Sequence, residues 1–367
     1  MLIRIDSYGK NPLPDLYERG DIVEFKKCIK EGWNVNCLTD QGTSLISYVM
    51  ENENKLKQNI NKLFFEELIE NNVHLYGIGA EQTLLITAST DTSIKSYYFK
   101  RLLDLGLDIE EKANMTDPHN PIYDIRAVHP IFYILANKKI KEIEYFLSKN
   151  PNLKVSTPYG DPLLNFLVTT RREEDLKILL PMLIEKGASF DNHDFMGDTA
   201  LHNLSWQQSS EEIYDILLKY IDVNSVNNTG LTAISQASES DNVHAMKILI
   251  KKNADINHKN NIDDTPIIIA AKNNSYKSFC LLAKSGADLT AQDFNGCNVV
   301  NWLVKQVVIQ NPFPWQCLKL FANQKHLLHV KDNKNNTAYN LLKSNFPKIL
   351  HEFEKYISNN RIYQIEK

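Results

Sequence analysis

The sequence predicts an all-α fold, a solenoid of about ten stacked helix-turn-helix units joined by short β-hairpin loops. Three observations carry this expectation. A short motif recurs every 33 residues, placing Thr199, Thr232, Thr265 and Asn298 at one position. Apolar clusters follow each motif at helical spacing, as in Ile216-Leu217-Leu218, Ile248-Leu249-Ile250 and Cys280-Leu281-Leu282. Polar stretches with Gly or Asn then separate one unit from the next.

The clearest units run as follows. Gly197-Asp198-Thr199-Ala200-Leu201-His202 opens one that closes at Asp222-Val223-Asn224. Gly230-Leu231-Thr232-Ala233-Ile234 leads to Asn253-Ala254-Asp255-Ile256-Asn257, and Asp264-Thr265-Pro266-Ile267 leads to Gly286-Ala287-Asp288-Leu289. The phase continues less regularly through Thr43, Thr83, His129, Pro162 and Thr337. Extra residues fall near Glu51–Asn61, Ala113–Arg126, Thr170–Glu174 and Val307–Pro314, where insertions reach solvent without breaking a stack. The expected organisation is a capping unit over 1–40, divergent repeats over 41–157, regular repeats over 158–335 and a capping unit over 336–367.

These residues resemble the ankyrin repeat, whose unit reads G-x-T-P-L-H-x-A-A, a second helix, then G-A-D-[VIL]-N. The match is closest over 158–295. Each part has a physical reason. The Thr hydroxyl caps the first helix. Pro266 fits a first turn, where no N–H is needed. Leu201, Ile234 and Ile267 bury against the neighbouring unit. Gly187, Gly286 and Asn253 end second helices at positive φ. His202 is expected to bridge backbone groups of neighbouring turns. Leu16, Tyr17, Phe25, Cys28, Ile29 and Cys37 should be buried in the first unit and Leu218 in a central one, and Pro347–Ile357 should form the last helix, with a frayed tail from Arg361.

Composition excludes several classes. Lys and Arg number 41 against 45 Asp and Glu, a net charge of −4 with pI 6.2, which argues against a binder that works by neutralising phosphate. Asn makes up about one residue in ten, which suggests an AT-rich, bacterial genome. The five cysteines, Cys28, Cys37, Cys280, Cys297 and Cys317, show no CxxC and suit a reducing compartment. No stretch has the roughly 20 apolar residues of a membrane span, and MLIRIDSYGK has no signal-peptide core. The expected location is cytoplasmic, or secreted without a cleavable signal, with no membrane partner.

Motifs of known chemistry are missing: no P-loop, GxGxxG, GxSxG or HExxH. His326 and His329 share a spacing but lack a third metal ligand, so neither metal nor cofactor is expected. His129-Pro130-Ile131-Phe132 with Asn137 resembles the start of a Fic-type HPFxxGNG motif, yet lacks the small residues that let a backbone approach phosphate.

What the resemblance implies is binding through a concave face of hairpin tips and first helices. Its outward slots are the two residues before each turn glycine, the one after it, and two beyond the Ala-Ala pair. The partner-binding residues expected there are Tyr159, Phe195, Met196, Asp198, Trp206, Asn228, Asn261, Ile262, Asp264, Phe294 and Asn295. Large apolar anchors ringed by polar groups fit an interface with a dry centre. Asp161, Asp198, Asp263 and Asp264 add a mild acidic character that favours a partner with a basic patch. The function expected is a non-enzymatic module, monomeric before binding, that recognises a folded protein. That partner is a toxin if the chain is an immunity-type inhibitor. Alternatives are a secreted effector bound to a host protein, and an enzyme with its site in the irregular 1–157 segment.

Overall fold

The computed structural model describes residues 10–40, 42–52, 56, 58–75, 84–89, 95–111, 113–115, 126–190, 193–308 and 325–365. Helices come in short pairs: α1 (Leu13–Arg19) with α2 (Ile22–Lys30), α3 (Leu45–Glu51) with α4 (Gln58–Glu70), α5 (Leu84–Ser89) with α6 (Lys95–Asp104), α7 (Pro130–Asn137) with α8 (Ile140–Leu147), and α9 (Leu163–Thr170) with α10 (Glu173–Glu185). The pattern continues with α11 (Ala200–Leu204) and α12 (Glu211–Leu217), α13 (Ala233–Glu239) and α14 (Val243–Lys251), and α15 (Pro266–Lys272) and α16 (Tyr276–Lys284). After α17 (Val299–Val308) come a 3-10 turn (Lys325–His329), α18 (Ala338–Asn345) and α19 (Pro347–Ile365). One antiparallel ribbon, β1 (Ala113–Met115) with β2 (Arg126–Val128), pairs Ala113 with Val128 and Met115 with Arg126. It forms the base of the expected insertion, whose residues 116–125 lie outside the described ones.

The chain divides into two compact units: residues 1–171 with 181–188, and residues 172–180 with 189–367. In the first, α1, α3, α5, α7 and α9 pack in sequence, with α2 on α4 and α6 on α8 behind them. Its core is aromatic: Phe64 takes Tyr17 edge-on at 5.3 Å and Phe25 at 4.7 Å. In the second, α11, α13, α15, α17 and α18 pack in sequence, with α14 on α16. Its core is aliphatic, built from Leu201, Ile213, Leu217, Ile234, Leu249, Ile267 and Leu282, all buried.

The local devices act largely as expected. Ser44, Thr232 and Thr337 accept from the backbone N–H three residues on, capping α3, α13 and α18. Pro130 and Pro266 occupy first-turn positions of α7 and α15. Gly187, Gly286 and Asn253 take positive φ after second helices. Thr265 differs, since its buried hydroxyl makes no hydrogen bond.

Several expectations need correction. Leu217, not Leu218, is the fully buried leucine of α12, because the helix turns Leu218 towards its half-exposed edge. Leu16 and Cys37 are only half-buried, although burial pushes the Cys37 thiol up to about 12. The last helix runs to Ile365, eight residues past the expected end at Ile357 (365 − 357 = 8) and through the segment expected to fray. Thr83, Cys317 and much of the Glu51–Asn61 and Val307–Pro314 insertions lie outside the described residues. Among the described residues no helix is long and apolar enough to cross a membrane.

Candidate functional site

The hairpins that carry the expected face are built from one repeated turn. A residue three before the glycine slot places its side-chain oxygen under the turn. Asp194 Oδ1 accepts from Met196 N (2.9 Å) and Asp198 N (2.8 Å), and Asn227, Asn260, Asp293 and Asp332 repeat the pair of bonds. Thr157 does part of this with its hydroxyl, accepting from Asp161 N. This is a side chain mimicking a backbone turn, the reason Asx residues favour such loops. The signal was present in the sequence as Asp, Asn or Thr at a fixed offset from the glycine slot.

Adjacent hairpins then join into a ladder. Asn228 N donates to Met196 C=O at 3.0 Å, Asn261 N to Thr229 C=O at 3.1 Å, Phe294 N to Ile262 C=O at 3.0 Å, and Asn333 N to Asn295 C=O at 2.9 Å. The amide side chains of Asn228, Asn261 and Asn333 add a second rung, donating to the C=O of Phe195, Asn228 and Phe294. Asn228 and Asn261, expected as binding residues, are exposed and spend their amides on this ladder. Gly197 shows why the turn is tight. At φ 79°, a Cβ there would stand 2.6 Å from Asn228 N.

His202 locks one hairpin to its helix. Its Nδ1 accepts from Thr199 N at 3.2 Å, with the Thr199 hydroxyl 2.9 Å away, while Nε2 lies 2.9 Å from Leu231 C=O. A carbonyl only accepts, so the proton sits on Nε2. Burial holds the ring below its ordinary pKa, and a neutral ring is what Thr199 N–H requires. His129 also serves structure: Nδ1 accepts from Ile131 N at the start of α7, and Nε2 meets Glu110 at 2.5 Å.

On this scaffold the apolar tips stand out. Phe195 and Phe294 are 71% exposed, Trp206 is 50% exposed, and Tyr159, Met196 and Ile262 are also exposed, as is the polar Asn295. Ile262 and Phe294 are the two ends of one rung, whereas Asn228, Thr229 and Asn261 separate them from Phe195 and Met196.

The aspartates do not belong to that exposed set. Asp198 and Asp264 are buried, as is Cys297 at the same slot, because the residue after the turn glycine points under its hairpin. Asp198 accepts from Asn227 Nδ2 at 2.8 Å and from Gln236 Nε2 at 2.9 Å. Asp264 meets Lys272 Nζ at 2.5 Å. Of the expected acidic character of the face, Asp198 and Asp264 are therefore internal, Asp161 is half-buried and Asp263 is exposed.

Lys272 reveals a pattern missed in the sequence. Its ammonium bridges Asp264 of its own repeat and Asp293 of the next, at 3.2 Å, and lies 4.6 Å from the centre of the Trp302 ring. Lys305, 33 residues on (305 − 272 = 33), repeats the placement. It stands 3.0 Å from Cys297 Sγ, 3.7 Å from Asp332 and 4.9 Å from the same ring. Trp302 Nε1 donates to Asp293 at 2.9 Å. Burial raises Asp264 above the usual carboxylate range despite Lys272. Burial would also raise Asp293, but Cys297 N–H, the Trp302 indole and Lys272 outweigh it and hold Asp293 low. Among the described residues no three His, Cys, Asp or Glu side chains gather to hold a metal ion, and His326 and His329 are exposed.

A family model described as ankyrin repeats (3 copies) matches residues 170–260 and 207–293. The ankyrin-repeat domain of Bcl-3, described as a unique member of the IkappaB protein family, is similar in structure at 21% identity. That match has a TM-score of 0.49 and covers 58% of this chain and 92% of that one. None of the curated proteins matches in sequence. Residues 170–293 are ankyrin repeats, and the chain has the all-α architecture of an ankyrin-repeat solenoid.

Proposed function

We propose that this chain is a non-enzymatic protein-binding module whose hairpin-tip and first-helix face docks a folded protein. The observation that carries the reading is the exposed apolar set: Phe195, Met196, Ile262 and Phe294 on hairpins that a hydrogen-bonded ladder holds in place, and Trp206 on the turn after α11, whose flanking carbonyls Asn242 holds. Exposed anchors on a preorganised backbone lose little entropy on binding, which is what an interface needs. Ankyrin repeats serve mostly as protein-binding scaffolds, and that resemblance supports the same reading.

The test has two steps. Affinity capture from the native organism identifies the partner. Titration then compares the native chain with Phe195→Ala/Trp206→Ala/Phe294→Ala. Each ring contributes about 2 kcal/mol when buried by a partner, so the triple variant should bind at least a hundredfold more weakly. Its melting temperature should stay close to native. A much lower melting temperature, or unchanged affinity, defeats the proposal. The partner's class rests on the sequence reading: a toxin gene beside this one supports an immunity-type inhibitor, and a secretion-system regulon supports an effector.

A further inference from the structure

The lysine pattern has a gap. The slot seven residues after the first-helix cap holds Lys272 and Lys305 in two consecutive repeats, and each lysine reaches an aspartate of the following hairpin, Asp293 or Asp332. In the two preceding repeats the same slot holds Trp206 and Glu239. The following hairpins there begin with Asn227 and Asn260 instead of aspartate. The internal cation is therefore replaced by an indole in one repeat and a carboxylate in the next. Trp206 is 50% exposed, Glu239 is exposed, and the Glu239 carboxylate takes part in no ion pair among the described residues. One turn before it, Gln236 spends Nε2 on Asp198, and its buried Oε1 has no hydrogen-bond partner. A buried acceptor left open asks for a donor.

The backbone holds both side chains in register. Asn242 Nδ2 donates to the C=O of Ser205 and of Gln207, at 2.9 and 2.7 Å, fixing the peptide on either side of Trp206 to the next repeat. Ser275 Oγ donates to Glu239 C=O at 2.9 Å. The first helices α11 and α13 pack directly, and such neighbours lie about 8–10 Å apart. Trp206 and Glu239 stand at equivalent slots of these neighbouring repeats, and a guanidinium or ammonium can contact a ring face and a carboxylate at once. Inside this chain, Lys272 shows that one cation can join a Trp ring, that of Trp302, to carboxylates.

We propose that Trp206 and Glu239 form a subsite for a basic side chain of the protein partner, which supplies from outside a cation of the kind that Lys272 and Lys305 supply internally in the following repeats. The inference rests on the protein-binding reading and specifies its partner: a surface arginine or lysine beside an apolar patch that meets the hairpin tips.

The probe is a fluorescein-labelled peptide with three arginines between glycine pairs, followed by polarisation at low salt. The matched peptide carries citrulline, which keeps the shape and loses the charge. The arginine peptide should bind at least tenfold more tightly than the citrulline peptide. Glu239→Gln and Trp206→Leu should each weaken it about fivefold, and Glu239→Lys should abolish binding by supplying the cation internally. Glu352→Gln, an exposed acid on α19, should have no effect. Equal binding of the two peptides, or equal loss in Glu352→Gln and Glu239→Gln, overturns the subsite. Glu239→Gln guards against a folding artefact in the Trp206 variant, because it removes only a surface charge. If the arginine peptide fails while the hairpin-tip triple variant still loses the captured partner, this inference falls and the protein-binding reading stands.

Discussion

His202 couples a hairpin to a helix through three bonds to one ring, and its protonation opposes that role. A second proton would sit on Nδ1 and face Thr199 N–H. Because the folded ring titrates below its ordinary value of 6.5, the unfolded chain binds more protons just below that pH. The stability His202 supplies is therefore complete above about pH 6.5 and is lost as pH falls towards the folded pKa. NMR titration should find the His202 ring less than half protonated at pH 6.5. His202→Ala should cost about 1–3 kcal/mol at pH 7.5, since Leu231 C=O and Thr199 N–H lose their partner. A ring half-protonated at pH 6.5 defeats the assignment. Gly197 is a second single-residue control point. Both Gly197 and Gly286 have positive φ, but only the Cβ at Gly197 would strike a neighbour, Asn228. Gly286→Ala should cost about 1–2 kcal/mol from backbone strain, and Gly197→Ala clearly more, because the ladder must open. Chemical denaturation of both variants checks the order.

Each repeat pair is held by side chains that reach across elements, and the two units use different ones. In the first, a carboxylate on one second helix takes a tyrosine and a cation from the next. Glu66 of α4 receives Tyr97 and Arg101 of α6, and Asp104 of α6 receives Tyr145 and Lys149 of α8. Tyr97 is pushed up to about 12 by burial and by Glu66. In the second unit, Lys272 and Lys305 bridge consecutive hairpins over Trp302. Lys272→Met leaves Asp264 and Asp293 without their shared cation. Breaking a fully buried pair costs roughly 3–5 kcal/mol, and the partial exposure of Lys272 reduces the expectation to about 2–3 kcal/mol. Lys177→Met, at an ion pair open to water, should leave the melting temperature nearly unchanged. Equal melting of the two variants would show that the Lys272 bridge adds nothing.

At the scale of the molecule, stability in a repeat array passes between neighbours instead of through one shared core. Leu217 is fully buried on α12, and Leu217→Ala should cost about 2–5 kcal/mol. Hydrogen exchange should locate that loss. Amides of α11 to α14 should exchange faster, while those of α1 to α4, in the other compact unit, keep their native rates. Uniform acceleration over the chain would mean that the array unfolds as a single body.

The repeat was legible because its causes are local. Thr or Ser before a helix, Pro in a first turn, Gly or Asn after a second helix, and helical apolar spacing all act within a few residues of each other. They recur at 33-residue intervals, so the helix pairs, their order and the exposed tips Phe195, Trp206, Ile262 and Phe294 could be read from the chain. The direction of Asp198 and Asp264 could not. A carboxylate after a turn glycine faces water or protein according to what lies beneath the hairpin. Here those neighbours are Gln236, 38 residues from Asp198, and Lys272, which also reaches Asp293 of the next repeat. The burial of Asp198 thus depended on partners from the next repeat, and that of Asp264 on a lysine of its own repeat that the next hairpin also holds, whereas backbone shape depended on residues a turn apart.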